Sequence, residues 1–276
     1  MSDIEHIMET ALRHQQAGEL AEAAGIYRKV LEIEPAQADA LHLLGMVAHA
    51  QQDNEQAIEL INKAILLDPL VADFHINAAS VYLALGKTAA AKSHAETALK
   101  INDQASEAHY NLGNALFAEG SATSAAKAFK RALELDPENQ IHWANYLFAL
   151  NFSAAASPED IYGANKAWGE KLAKTVPMLP DFTNELTTER LLRLAYFLPE
   201  LDSHVTSRFL HPILASHNKT IFEVSLYGSR ADGAEPPANL IAAADHWIDV
   251  GDKSAAEIAA LMRADQIDIF AHPCTF

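Results

Sequence analysis

"SEAHYNLGNALFAEGSATSAAKAFKRALELDP", residues 106–137, reads as two amphipathic helices joined near Gly120 and stopped by Pro137. The same classes of residue return every 34 positions: "EIEP" ends at Pro35, "LLDP" at Pro69 and "ELDP" at Pro137, with Asp103 in the remaining slot. Leu44-Gly45, Ala78-Ala79 and Leu112-Gly113 recur in the first helix of each unit, and Ala23, Ala57, Ala91 and Ala125 in the second. Small side chains at these places let two helices approach closely, and proline ends the second helix because it cannot continue the backbone ladder. Tyr27, Ile61 and Phe129 are expected to fill the space between neighbouring hairpins. Gly18, Gly86 and Gly120 fall at the inter-helix turn, where an unusual backbone angle is expected.

This is the tetratricopeptide pattern, with repeats at about 4–37, 38–71, 72–105 and 106–139. A fifth first helix follows at "ENQIHWANYLFALNF", carrying Trp143 and Tyr146. "SPED" at 157–160 then starts a closing helix, with Ser157 as its cap, Pro158 at the first position and two acids favoured by the helix dipole. An α-solenoid over residues 1–174 is the expected first domain. Its first helices form a wall on which Asn77, Asn111 and Asn145 share one slot, with Asn114 a turn away. An asparagine offers both a donor and an acceptor, so such a ladder can hold the backbone of an extended polypeptide. The same amides can instead bond between helices. Glu9 and Leu43 take the slot in the first two repeats, so a ladder covers only the later ones.

Residues 175–190, with two prolines and no helical period, read as a linker. Beyond it the period changes. "LLRLAYFLP" (191–199), "TIFEVSLYGS" (220–229), "WIDV" (247–250) and "IDIFA" (267–271) are strand-like, and helices are expected at 203–217, 237–246 and 254–265. Such alternation implies a smaller α/β Rossmann-like half-domain over 191–276, with about four parallel strands and right-handed crossovers.

A formal charge of −17 disfavours nucleic acid or an anionic membrane as the main partner. One cysteine, Cys274, leaves no disulfide framework or cysteine-rich metal site. The opening residues lack a leader-like basic and apolar pattern, and no stretch is long and apolar enough to span a bilayer. These features place the expected location in the cytoplasm. No cofactor is expected, since no glycine-rich phosphate loop and no convincing metal spacing appear. Repeat arrays of this kind also permit a homodimer.

In its order of parts the chain resembles the O-GlcNAc transferase family, including its SPINDLY-like relatives, in which tetratricopeptide repeats precede a two-lobed glycosyltransferase. "NYLFALNFSAAASPEDIYGANKAWGEKLA" resembles that family's link between repeats and catalytic lobe. "RLAYFLPELDSHVTSRFL" resembles its first strand and following loop, and "FEVSLYGS", "ADHWIDV" and "ADQIDIFA" its next three strands. The resemblance implies transfer of a sugar from a nucleotide sugar to Ser or Thr of proteins. It also implies that His204 lines the site facing donor and acceptor, where an imidazole can orient a hydroxyl or take its proton. The family's usual Asp-Phe before this histidine is Glu200-Leu201 here, and its acidic residue and Gly-His-Thr turn after the fourth strand are replaced by "AHPCTF". A uridine diphosphate sugar would be the substrate of a complete enzyme, whose second lobe supplies most donor contacts. No such lobe is present in this sequence, so the chain is expected to be inactive alone. The competing expectation is a non-catalytic scaffold that binds extended polypeptide through its repeats.

Overall fold

The computed structural model describes residues 3–175, 183–185, 187, 189–198, 204–229 and 237–272. The chain divides into two compact units, Met1–Pro177 and Met178–Phe276. The expected linker at 175–190 lies largely outside the described residues.

The first unit is a run of antiparallel hairpins. Helices α1 (Asp3–Gln16) and α2 (Leu20–Ile33) form the first, α3 (Ala38–Ala50) and α4 (Asn54–Leu67) the second, α5 (Ala72–Ala84) and α6 (Thr88–Ile101) the third, α7 (Ser106–Ala118) and α8 (Ala122–Leu135) the fourth. Then α9 (Gln140–Phe152) and α10 (Pro158–Thr175) close the array. Helix starts are fixed by side chains: Gln37 accepts from the Ala40 amide at 2.7 Å, Asp53 from Gln56 at 3.0 Å, and Asn139 from Ile141 at 3.0 Å. Before α10, the Ser157 hydroxyl accepts from the Asp160 amide at 3.1 Å while the Asp160 carboxylate accepts from the Ser157 amide at 2.9 Å, closing a reciprocal cap.

The residues expected between hairpins press first into their own hairpin. A Cβ on Gly45 would stand 2.8 Å from Ile61 Cγ1, and one on Gly113 would stand 2.5 Å from Phe129 Cε1. Ile61 and Phe129 are fully buried as a result. In the third repeat both members of the pair are small, Ala79 and Ala95, and both are fully buried. Tyr27 sits over the corresponding Ala11, its hydroxyl donating to Gln15 Oε1 at 2.9 Å, and burial pushes its phenol up to about 12. The hairpin turns need the left-handed angle: φ is +80° at Gly18, +68° at Gly86 and +80° at Gly120. The same slot in the second repeat is Gln52, at φ +66°.

The second unit is a four-stranded parallel sheet of order β3-β2-β1-β4, built from β1 (Leu192–Leu198), β2 (Phe222–Gly228), β3 (His246–Asp249) and β4 (Ile269–Ala271). Between strands run α11 (His204–Ala215), α12 (Ala238–Ala243) and α13 (Ala255–Ala264). On one face Leu194, Leu198, Val224 and Leu226 pack with Leu210 and Leu214 of α11 and Leu240 of α12. On the other, Ala195, Tyr227 and Val250 pack with Ile258 and Leu261 of α13. The winding therefore proceeds outward from β1 to β3 on one side, then crosses to the opposite face and returns to β4. The sheet has its switch point between β1 and β4, and in such sheets ligands bind outside the carboxyl ends of the strands flanking it.

Candidate functional site

Two places in the chain have the chemistry to bind something: the face of first helices in the repeat unit, and the carboxyl end of the sheet. On the repeat face the asparagine slot follows one rule. Each amide reaches back 35 residues to the first helix of the preceding repeat: Asn77 Nδ2 to His42 Nε2 at 2.7 Å, Asn111 Nδ2 to the Ile76 carbonyl at 3.0 Å, and Asn145 Nδ2 to the Tyr110 hydroxyl at 3.4 Å. Asn145 also donates to the carbonyl of Ile141, in its own helix, at 3.0 Å.

Asn111 is 5% exposed, so its side chain offers a passing polypeptide almost no surface. At Asn111 the donor is spent on the joint between repeats, the alternative that the sequence left open beside a peptide-facing amide. Asn77 and Asn145 remain half-buried with their donors engaged, and Asn114, also half-buried, makes no hydrogen bond among the described residues.

His42 is 7% exposed and lies against Phe74, ring centroids 4.6 Å apart. Burial lowers its pKa, outweighing the pull of Asp39 and Asp73. A neutral ring leaves Nε2 free to accept from Asn77, which fits that direction. His94 is lowered for the same reason, with neighbouring His75 adding to it, and the two rings meet Nδ1 to Nδ1 at 3.1 Å.

Around His42 the first three repeats form a groove of about 590 Å³ lined by α1, α3 and α5. Three of its carboxylates, Glu5, Asp39 and Asp73, share a slot that recurs at the repeat period and that Glu107 continues outside the groove. Sequence reasoning passed over this slot, although its 34-residue spacing was as plain as that of the asparagines. Acids in the first turn of a helix are explained by the helix dipole, which hid their second position on a groove wall.

In the sheet unit, α11 begins at His204, after β1 in the chain. The His204 side chain, the turn at 199–203 and residues 273–276 lie outside the described residues. Within them, His272 follows β4 and stacks on Phe197 of β1 at 5.4 Å, across the switch point. Gly228 ends β2 so close to β1 that a Cβ would stand 2.7 Å from the Leu198 carbonyl.

At the opposite end of the strands a cavity of about 460 Å³ is lined by Arg193, Glu223, His246 and Asp265. Its charges are already paired: Glu223 accepts from His246 at 2.9 Å and from Arg193 at 3.2 Å, and these bonds, that from His246 foremost, hold its carboxyl below the usual range. Alongside, Asp268 accepts from both terminal nitrogens of Arg190 at 2.7 Å and from the Arg193 amide at 2.9 Å. The Arg190 bonds lead in holding Asp268 far below an ordinary carboxylate. These groups tie Arg190 and the start of β1 to Asp268 at the approach to β4. Among the described residues no group of three or more His, Cys, Asp or Glu is placed to hold a metal ion, and no helix is long and apolar enough to cross a membrane.

The tetratricopeptide repeat family model matches residues 14–79 and again 76–140. The first unit is thus a tetratricopeptide-repeat array, consistent with protein binding. Its repeats are homologous to those of SPINDLY and O-GlcNAc transferase. The probable UDP-N-acetylglucosamine–peptide N-acetylglucosaminyltransferase SPINDLY of Oryza sativa subsp. japonica is 28% identical over 52% of this chain and 16% of its own length. The O-GlcNAc transferase of Thermobaculum terrenum, solved as its K341M mutant, is 27% identical over 97% of this chain and 45% of its own, with a TM-score of 0.50. Small glutamine-rich tetratricopeptide repeat-containing protein 2 of Mycosarcoma maydis is 33% identical over 48% of this chain and 35% of its own. The chain thus spans less than half the length of each of these relatives.

Proposed function

We propose that this chain carries the acceptor-binding repeats and part of the first lobe of a nucleotide-sugar-dependent protein O-glycosyltransferase. The repeats hold a protein segment along their first helices, and the sheet unit receives a Ser or Thr hydroxyl from it. In the complete reaction that hydroxyl forms a bond to the anomeric carbon as the sugar–phosphate bond breaks, uridine diphosphate leaves, and His204 orients the hydroxyl or takes its proton. Developing charge on the diphosphate needs placed donors or cations, which this reading assigns to a second lobe, so the chain does not turn over alone. The reading keeps the protein in the cytoplasm, with no membrane or nucleic-acid partner.

The observation that carries this reading is the parallel β3-β2-β1-β4 sheet directly after the repeats, within a likeness to an O-GlcNAc transferase that extends over 97% of the chain. Photo-crosslinking with Ser- and Thr-containing extended peptides tests it. Adducts are expected on α1, α3, α5, α7 and α9 and near His204. Adducts only on the second helices, or none, would sink it. Calorimetric titration with a uridine diphosphate sugar tests the donor half, where submillimolar binding to this chain would overturn the assignment of donor contacts elsewhere.

The second reading is a non-catalytic interaction scaffold. It is favoured by the repeats matching the glutamine-rich protein at 33%, slightly above the 28% to SPINDLY, so that the repeats by themselves do not select a transferase.

A further inference from the structure

We propose that the groove across the first three repeats selects an extended polypeptide with a cationic side chain at every third position and apolar side chains between, a specificity that rests on the peptide-binding reading above. Glu9, Asp39 and Asp73 are exposed on its walls and make no hydrogen bond or ion pair among the described residues. Glu5 adds a further carboxylate. Among the described residues no Lys or Arg lines the groove, and its imidazole, His42, is buried with its pKa lowered by that burial. The floor is apolar: Met8 and Leu43 are half-buried, and Phe74 lies beneath them.

Glu9, Asp39 and Asp73, with no cation of their own among the described residues and set around an apolar floor, complement a ligand that supplies both parts. Lys or Arg would meet the walls, and an aliphatic side chain would meet Leu43 and Met8. A volume of about 590 Å³ falls in the ordinary range for binding clefts. Asp39 and Asp73 occupy equivalent places on successive first helices, which at ordinary packing distance stand roughly 10 Å apart. A polyproline-II segment covers that span in one turn of about three residues, which brings the same face back to the groove. The ligand therefore carries a cation at every third position with an apolar residue between. Two of the three repeats that form the groove lack the asparagine slot, since Glu9 and Leu43 stand there instead, and the third carries Asn77.

The test is fluorescence anisotropy on the full chain with labelled peptides of repeating Lys-Ala-Leu, Glu-Ala-Leu and Lys-Ala-Ser triplets. Lys-Ala-Leu is expected to bind at least tenfold tighter than either control and to weaken as salt rises. Together, Glu9→Gln, Asp39→Asn and Asp73→Asn are expected to weaken it roughly tenfold, as three partly solvated pairs imply. A matched set on second helices, Glu22→Gln, Glu32→Gln and Glu55→Gln, should leave binding within about twofold, because charge at that distance is largely screened. Since Asp39 and Asp73 also favour their helix N-termini, Glu9→Gln alone, at mid-helix, provides a variant that leaves those starts intact, with an expected loss of about threefold. Equal loss from the two triple sets would mean non-specific attraction to a chain of charge −17 and would overturn the proposal. Equal binding of Lys-Ala-Leu and Glu-Ala-Leu would overturn the selectivity alone and leave peptide binding standing. Failure of all three peptides together with absence of crosslinks on the first helices would overturn both.

Discussion

At the scale of single residues, the turn slot of the repeat shows what a side chain costs when it occupies a position suited to glycine. Gly18, Gly86 and Gly120 adopt positive φ with nothing within 4 Å of where a Cβ would lie, so their choice is conformational rather than steric. Gln52 holds the same angle, +66°, with a side chain attached. Left-handed backbone costs an ordinary residue about 1 kcal/mol or more, partly offset by the greater freedom glycine has when unfolded. Gln52→Gly is therefore expected to stabilise the repeat unit by about 0.5–1 kcal/mol, read as a higher urea midpoint with unchanged m-value. A lower midpoint would mean that the Gln52 side chain contributes more than its strain costs. The slot itself was legible from sequence because three of four members are glycine. The strain at Gln52 was not, since glutamine gives no sign of its φ.

Between elements, the joints from repeat to repeat are where sequence and structure part. The asparagine recurrence was visible at 34-residue spacing, yet its amides reach 35 residues back to three unlike acceptors: a ring nitrogen, a carbonyl and a phenol. No sequence pattern encodes that, because Asn77, Asn111 and Asn145 need only a donor of fixed reach while their partners vary. The hairpins themselves were legible because Gly45 with Ile61 and Gly113 with Phe129 leave a repeating trace of small opposite large. The sheet was equally legible, because buried parallel strands are nearly continuous apolar runs. The chemistry around His204 was not, as only its place at the start of α11 is described. For the joints, Asn111→Ala is expected to destabilise the repeat unit by about 1 kcal/mol, because it removes the inter-repeat bond from a buried amide to the Ile76 carbonyl, which keeps its own helical partner. Asn145→Ala should cost less, since that amide divides between Tyr110 and its own helix and the residue is half-buried. Chemical denaturation of both variants checks the order, and an equal loss would count against the inter-repeat assignment.

Across the whole molecule, the two units are expected to lose stability in different pH windows, because different groups are perturbed in each. In the repeat unit, His42 and His94 have pKa values lowered from an ordinary 6.5, chiefly by burial, so the folded unit resists protonation that the unfolded chain accepts. Its stability is then full above about 6.5 and falls as pH drops below that value. In the sheet unit, Asp268 is 12% exposed and lies far below its ordinary 3.8, so its contribution is complete above 3.8 and is lost only at more acid pH. Each unit also has its own hydrophobic clusters, Ala11 to Val47 and onward in one, Leu194 to Ala243 in the other. With Trp143→Phe and Trp168→Phe leaving Trp247 as the reporter of the sheet unit, melting can be followed separately by that fluorescence and by helical circular dichroism. Between neutral pH and about pH 5 the helical transition is expected to move to lower temperature while the Trp247 transition stays, since histidine titrates there and an already ionised Asp268 does not. His42→Gln with His94→Gln should flatten the helical response, and Asp268→Asn should lower the Trp247 transition near neutral pH and remove its steep loss in stronger acid. If both probes instead moved together at every pH, the units would be unfolding as one cooperative body, and the division of stability by titrating group would be wrong.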